Sequence, residues 1–379
     1  MPEDIRKRKL LVVSDTPFYN SGQGLLAFEP VVRELESLLN VFDEIVWLGC
    51  MVSQQQHAMV LPKEGIRLVS MPSVSNTAMN ALHVLYAYPV FFYKILAHLK
   101  GVTHVHARGP SHPALLLMPI AAIDTRRKYW HKYAGNWAVK SGAFSYRLQQ
   151  RILKKGFGTN STVTINGVYD DSPSHIVAFE NPCLTEFERQ RANSKANEKK
   201  FSGDLELLFV GGLNANKGIQ ELVASIAENK FPSRIKAIHI VGDGPQRPSI
   251  VDALKSTLRA NVLIHGYLKR REVERFYERC HMLILPSRSE GFPKVIAEAS
   301  AYGCIPVVTE VSCIPQYIHH GENGFLLKTG SPDDIACTLS EVCGSSKLPE
   351  ISRAATQLTT KFTYEYYLKR IKSEIFCLD

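Results

Sequence analysis

Two glutamates, Glu290 and Glu298, bracket the helix-like part of the stretch SEGFPKVIAEASAYGCIPVV, residues 289 to 308. Glu290 falls in a Gly-Pro turn, and Glu298 falls on an apolar helical pattern that runs on into a buried-strand pattern. Pro293 suits the first helical position, because its ring presets φ and its missing N–H would be orphaned there in any case. A helix mouth at Gly291, Phe292 and Pro293, with Lys294 next, presents backbone N–H groups and a positive dipole end, which favour a phosphate or a diphosphate. Glu298 then lies about 7.5 Å further along the axis, a span of the order of one sugar ring. Two carboxylates so spaced can accept hydrogen bonds from hydroxyls of two connected sugar units while the diphosphate between them meets the helix. Taken alone, the same pair reads equally as a solvated loop acid and a paired structural residue.

Other turns carry compatible chemistry. In FVGGLNANKG a strand ends at a glycine turn that includes Gly212, and Lys217 opens the next helix, where a cation can offset charge building on a departing diphosphate. Arg288 sits in the turn beside Glu290. VGDGP (residues 241–245) and HGY (residues 265–267, with Gly266) follow strands and can approach a ligand through backbone. In NSGQGLLAFEP, Gly22 and Gly24 precede a helix expected over Leu25 to Asn40, where missing side chains let backbone come close to a phosphate. The same letters spell a nominal dinucleotide fingerprint. However, seven residues separate Gly22 from Ser14 at the expected strand end, whereas a fingerprint turn follows its strand directly. No nicotinamide site is expected. HVHARGPSHP ends a strand with His104 and His106 on one face, and KYWHKYAGN holds His131 and, in its turn, Asn136.

The run LPSRSEGFPKVIAEASAYGCIPVVTEVSCIPQYIHHGENGFLL resembles the C-terminal domain of the group 1 family of retaining glycosyltransferases, whose mark is two glutamates separated by seven residues. The resemblance extends upstream through LLFVGGLNANKGIQELVASIA, IHIVGDGPQ and VLIHGYLKRREVERFYERCHMLILPS, covering roughly residues 205 to 345. It implies an α/β fold of two Rossmann-like domains facing across a cleft (GT-B). By resemblance, Glu290 meets hydroxyls of the transferred sugar and Glu298 those of the nucleotide ribose. The family usually places an arginine five residues before the lysine matched by Lys217. Here that position is Gly212, and Arg288 is the candidate to supply the missing charge. Glu290, Lys217 and Arg288 are thus the expected catalytic group. Gly22, Gly24, Gly212, Gly266, Gly291, Phe292, Pro293, Lys294 and Glu298 are the expected donor-binding residues. His106, Asn136 and His131 (or Gly135, which the register leaves as an alternative) are the expected acceptor-binding residues.

The elements that must hold these turns in place follow from length and pattern. At 379 residues the chain exceeds what one hydrophobic core usually organises. Short β-branched or Leu-rich runs alternate with amphipathic patterns from end to end, the βαβ signature of parallel sheets. Domains are expected over residues 1–190 and 200–360, divided by the polar stretch EFERQRANSKANEKKFSGD, with a C-terminal helix over 361–379 packing back on the first. Helices are expected at 218–228, 246–258, 270–279 and 293–302 in the second half. The eight cysteines are scattered without C-x-x-C spacing and read as buried thiols of a reducing compartment. The N-terminus is too weakly apolar for a signal peptide, and no stretch spans a bilayer well.

Net charge is +9, and residues 91 to 160 hold twelve Lys or Arg against Asp124 alone. A region that basic draws anionic lipid, anionic saccharide or nucleic acid. Within it, VKSGAFSYRLQQRILKKGF puts Phe144, Leu148 and Ile152 on one helical face with Arg147, Arg151, Lys154 and Lys155 elsewhere. The combined expectation is a retaining transferase moving a sugar from a nucleoside diphosphate sugar to a hydroxyl of a saccharide or lipid-linked saccharide acceptor. It would be cytoplasmic, with peripheral contact at the inner membrane face, no nucleic acid partner, no cofactor, and no metal in the absence of a D-x-D motif. A UDP-sugar epimerase of the same shape and a catalytically silent nucleotide-sugar binder are the alternatives.

Overall fold

The computed structural model describes residues 7–73, 81–138, 144–170, 172–228, 231–255 and 261–378. The chain divides into two compact units, Met1–Phe179 with Tyr367–Asp379, and Glu180–Tyr366.

The first unit runs β1 (Lys9–Asn20), β2 (Leu25–Phe28), α1 (Glu29–Leu38), β3 (Glu44–Met51), β4 (Met59–Val60), β5 (Ile66–Met71), α2 (Ala81–His98), β6 (His104–Gly109), α3 (His112–Ile123), β7 (Lys128–Tyr133), α4 (Phe144–Lys155), β8 (Ser161–Ile165) and β9 (Ile176–Ala178). Strands β5, β3, β1, β6, β7, β8 and β9 lie side by side in that order, all parallel. The helix expected over Leu25 to Asn40 is shorter. Leu25–Phe28 instead pairs antiparallel with the end of β1, Phe18 opposite Ala27, and residues 21–24 make the turn between them. Pro30 explains the boundary, since proline within the first helical turn starts a helix and disfavours helical backbone before it. Gly22 and Gly24, with φ of 81° and 142°, therefore serve a hairpin rather than a helix mouth.

The amphipathic face expected around residues 139–157 also differs. Residues 139–143 lie outside the described set, and α4 buries Gln149 and Leu153 while Phe144 is exposed.

The second unit runs α5 (Glu186–Ala196), β10 (Leu205–Val210), α6 (Ile219–Ala227), β11 (Ile235–Val241), α7 (Arg247–Lys255), β12 (Val262–Gly266), α8 (Arg270–Arg279), β13 (Met282–Leu285), α9 (Lys294–Ala301), β14 (Ile305–Thr309), β15 (Phe325–Leu327), α10 (Pro332–Gly344) and α11 (Leu348–Leu358). The expected end of α7, residues 256–258, lies outside the described set. The polar stretch read as a divide is in part a helix. In α5, Thr185 and Glu188 form a reciprocal capping box, which starts a helix whose sequence has little apolar periodicity of its own.

The six parallel strands order as β12-β11-β10-β13-β14-β15. Strands β13 and β14 are buried at every residue, as central strands of a doubly covered sheet must be. The first strand of this sheet thus lies between the second and the fourth, and the chain reverses its direction of winding there. Loops leaving the carboxyl ends of β10 and β13 consequently part company beside each other, which is where ligands bind in such sheets.

After α11 the chain re-enters the first unit through α12 (Tyr364–Arg370). There Tyr367, Ile371, Ile375 and Phe376 join a core with Leu10, Val12, Trp47 and Trp130. Not every cysteine is buried as read from the sequence: Cys337 and Cys377 are exposed and Cys343 is half-buried. Among the described residues no helix is long and apolar enough to cross a membrane.

Candidate functional site

The switch point of the second sheet gathers the turns singled out in the sequence. After β10, Asn214 folds the loop by accepting from the backbone N–H groups of Asn216 and Lys217 through Oδ1, at 3.0 and 3.2 Å. Lys217 ends this 3₁₀ turn rather than opening a helix, and α6 starts two residues later. Between them Gly218 has φ of 67°, and a Cβ there would lie 1.9 Å from the Pro286 carbonyl oxygen. Only glycine lets this loop touch the one that follows β13. Two further bonds join the loops: Asn216 Nδ2 donates to the Ser289 carbonyl at 2.8 Å, and the Arg288 N–H donates to the Asn216 carbonyl at 2.8 Å.

So stitched, the loops bring Lys217 Nζ to 2.6 Å from Glu290 Oε1. The two residues expected on diphosphate and on sugar hydroxyls hold each other in this structure. Arg288, expected to supply charge to the same spot, is paired with Glu221 on α6.

Helix α9 begins one residue later than expected. Pro293 is its N-cap with ψ of 120°, and no side chain caps the first turn. Lys294 is the first helical residue, and the Gly291 backbone leads into it. The Phe292 ring is not available to a ligand: it stacks on Phe362 at 4.6 Å and is 6% exposed, because the turn after β13 folds over the core. Glu298 accepts from the Tyr277 hydroxyl at 3.3 Å, with Arg270 Nη1 3.8 Å away. Burial works against the Arg270 charge, but Glu298 and Glu188 outweigh it and raise the guanidinium pKa. Burial above all raises the Tyr277 phenol. Arg270 went unnoticed in the sequence because its partners lie far from it along the chain.

Gly212 has no side chain to offer, and a Cβ there would meet the Asn214 amide nitrogen at 2.9 Å. Gly266, with φ of 71°, faces the Arg247 guanidinium and accepts from the Gly242 N–H at 2.8 Å.

Two of the residues expected to bind the acceptor, His106 and His131, are buried in the core. His106 is fully buried and stacked on Trp130 at 3.7 Å, and burial, more than the neighbouring Arg108, holds its pKa well below the usual imidazole value. His131 sits mid-strand at 2% exposure against Phe157. Both belong to strands covered on two faces, so alternation sends every side chain into one core or the other. Asn136 makes a turn, accepting from the Ala138 N–H at 3.0 Å. A buried group that the sequence did not announce lies nearby: Glu34 on α1 meets Arg108, Lys132 and the Tyr367 hydroxyl.

His131 leads to a stability prediction. Burial pushes its pKa from 6.5 down to about 3. Between those values the unfolded chain binds a proton that the folded chain does not. Stability is therefore intact above pH 6.5 and falls as pH drops toward 3, by on the order of 1 kcal/mol per pH unit from this group. Denaturant titrations from pH 7 to pH 4 should show a shallower decline for His131→Leu than for the parent chain. Identical slopes would mean that the ring takes up its proton in the folded state.

Among the described residues Glu206, His239 and Cys280 bring donor atoms within 4.8 Å of one another. The Glu206 carboxylate is occupied by Arg279, at 2.5 and 2.9 Å, and by His239 Nε2 at 3.2 Å. Burial raises the Cys280 thiol pKa, opposing the thiolate a metal needs. The residues fit a hydrogen-bonded network better than a metal centre.

Residues 190–357 match the family model described as "Glycosyl transferases group 1". A glycogen synthase of Mycobacterium tuberculosis is 25% identical over 283 residues, 70% of this chain and 66% of that protein. The chain spans between 32% and 66% of the length of the curated relatives it matches. Among solved structures, a sucrose-phosphate synthase from Thermosynechococcus elongatus aligns with a TM-score of 0.71 at 14% identity, over 98% of this chain and 100% of the other. The Anabaena protein HepE, solved in complex with UDP and glucose, aligns with a TM-score of 0.69 at 15% identity, over 97% of this chain and 98% of the other. At such identities the structural likenesses show the fold, two Rossmann-like units of the GT-B kind.

Proposed function

We propose, from the match of residues 190–357 to the group 1 glycosyltransferases, that the chain is a retaining enzyme that moves a sugar from a nucleoside diphosphate sugar to an acceptor hydroxyl. The observation that carries this reading is the meeting of Lys217 and Glu290 at the switch point of the second sheet. A nucleoside diphosphate sugar supplies partners for both: its diphosphate for the ammonium and its sugar hydroxyls for the carboxylate. Binding therefore exchanges one internal ion pair for two ligand contacts. The uncapped first turn of α9, through the backbone of Gly291 to Lys294, meets the same diphosphate. Glu298, held by Arg270 and Tyr277, takes the ribose hydroxyls, and the glycines at 212 and 266 leave room for the nucleotide. As the bond to the sugar breaks, negative charge grows on the departing diphosphate. Lys217 and the α9 dipole stabilise it, with Arg288 recruited from Glu221. The diphosphate itself takes the acceptor's proton, so no protein nucleophile is required.

The acceptor is proposed to be a saccharide or lipid-linked saccharide, reached by peripheral contact with an anionic membrane face. The row of exposed Tyr86, Phe92, Tyr93 and Leu96 on α2 supports that contact, since interfacial helices insert aromatic and aliphatic residues while basic neighbours hold the lipid headgroups. Gly212 favours one second reading, a protein that binds nucleotide sugars without transferring them.

A panel of nucleotide sugars screened by thermal unfolding and by slow hydrolysis tests the proposal. At a hundredfold excess over Kd a true donor adds about 2.7 kcal/mol, which is about 5 °C or more for a unit of this size. Stabilisation with hydrolysis supports the enzyme, and stabilisation without turnover supports the silent binder. If no member of the panel shifts the midpoint, both readings fall.

A further inference from the structure

The first unit contains a cavity of about 680 Å³ that the donor site does not use. It lies off the carboxyl ends of β7 and β8, bounded by Trp137 and Ala138 after the first and by Tyr169 and Asp170 after the second. Its third wall is α4, fastened to the β7 loop by Gln150 Nε2, which donates to the Asn136 carbonyl at 3.2 Å. From that wall Arg147, Arg151 and Lys154 line the cavity, at helical spacings of four and three. Asp170 is the one carboxylate among its described lining residues.

Among the described residues Arg147, Arg151 and Lys154 have no carboxylate within ion-pair distance, Asp170 included. Lys154 instead lies over the Trp137 ring, 5.4 Å from its centroid. Like charges one turn apart repel and cost a helix stability. Three of them lining one concavity also focus a positive field into it. All three side chains are exposed to solvent, and what distinguishes them from an ordinary helix face is that they line one concavity.

We propose that this cavity binds a phosphoryl group carried by the acceptor, so that Arg147, Arg151 and Lys154 select phosphorylated acceptors. Arginine suits the role, because its planar fork matches phosphate oxygens in pairs. The inference rests on the transferase reading above, and it assigns that reading's acceptor a chemical class. A lipid headgroup and a soluble sugar phosphate share this chemistry, and the test separates them.

The chain's three tryptophans are Trp47, Trp130 and Trp137, all in the first unit, and only Trp137 lines the cavity. Intrinsic fluorescence therefore reports on the cavity and not on the donor site. Titrating the full chain with inorganic pyrophosphate should give a saturable change. The change should be absent in Trp137→Phe, and its Kd should be weaker by about tenfold or more in an Arg147→Gln, Arg151→Gln double variant. Far-ultraviolet circular dichroism and melting of that variant check that it folds. Flotation with phosphatidylglycerol vesicles but not phosphatidylcholine vesicles, lost in the double variant, assigns the group to a lipid. Pyrophosphate binding without flotation assigns it to a soluble acceptor. No saturable change in the parent chain, or an equal Kd in a folded double variant, overturns the assignment. If nucleotide sugars still stabilise the parent chain in that case, the transferase reading stands and only the cavity's role is lost.

Discussion

Replacing Lys217 with alanine is expected to slow sugar transfer by about 10²- to 10³-fold, the usual consequence of removing one preorganised group that stabilises developing charge. In activation terms that is about 3 to 4 kcal/mol. The fold should tolerate the change. Lys217 and Glu290 keep 24% and 13% side-chain exposure, so water can reach the carboxylate left behind. The expected stability loss is about 1 kcal/mol, or about 2–4 °C. This imbalance is what separates a catalytic role from a structural one. A pair that merely ties two loops together would lower the melting point and leave kcat alone. A lysine that meets the leaving diphosphate would lower kcat with little effect on melting, and Lys217→Arg would recover part of the loss. Glu290→Gln provides the second arm: it frees Lys217 but removes a contact to the sugar, so KM for the donor should rise together with the fall in kcat. Unchanged kcat in Lys217→Ala would remove the site from the mechanism, whatever its melting point.

The second sheet was legible because its strands are short apolar runs, and LELLFV, IKAIHIV and MLIL, which end at glycine or proline, declare both their extent and their turns. The turns mattered most, since ligands gather where loops leave such sheets. What the sequence could not convey was which turns meet. Lys217 and Glu290 stand 73 positions apart, and only the reversal of strand order at β10 and β13 makes them neighbours. Local pattern also misled where two readings share one composition. LLAF is as apolar as a helix start, and the short strand it forms depends on the end of β1 lying alongside. A histidine in a strand reads as available chemistry, yet His106 and His131 are core residues because their strands are covered on both faces. Exposure of that kind is a property of the sheet, which no window along the chain contains.

The same limit hid the residue whose loss should harm the fold most. Glu34 sits on the buried face of α1 at 1% exposure, and its partners Arg108, Lys132 and Tyr367 come from 74, 98 and 333 positions away. Arg108 Nη1 and Lys132 Nζ each lie 2.6 Å from Glu34 Oε1, and the Tyr367 hydroxyl donates to that oxygen at 2.9 Å. Burial disfavours the Arg108 charge, and the Glu34 carboxylate more than restores it, leaving the guanidinium pKa raised. Glu34→Ala would strand two cations in the interior, and breaking a buried ion pair from one side costs about 3–5 kcal/mol. Urea unfolding should show that loss as a lower midpoint at unchanged slope. Removing the charges together gives the control. Lys132→Met with Arg108→Met and Glu34→Leu should regain most of the stability, because apolar replacements of a buried ionic cluster are often neutral or better. A loss below about 1 kcal/mol in Glu34→Ala would mean that water enters the cluster. The position of Tyr367 extends the argument to the C-terminal segment: Glu34→Ala removes the hydrogen bond that ties α12 to α1, so amide exchange in residues 367–376 should quicken before the rest of the unit opens.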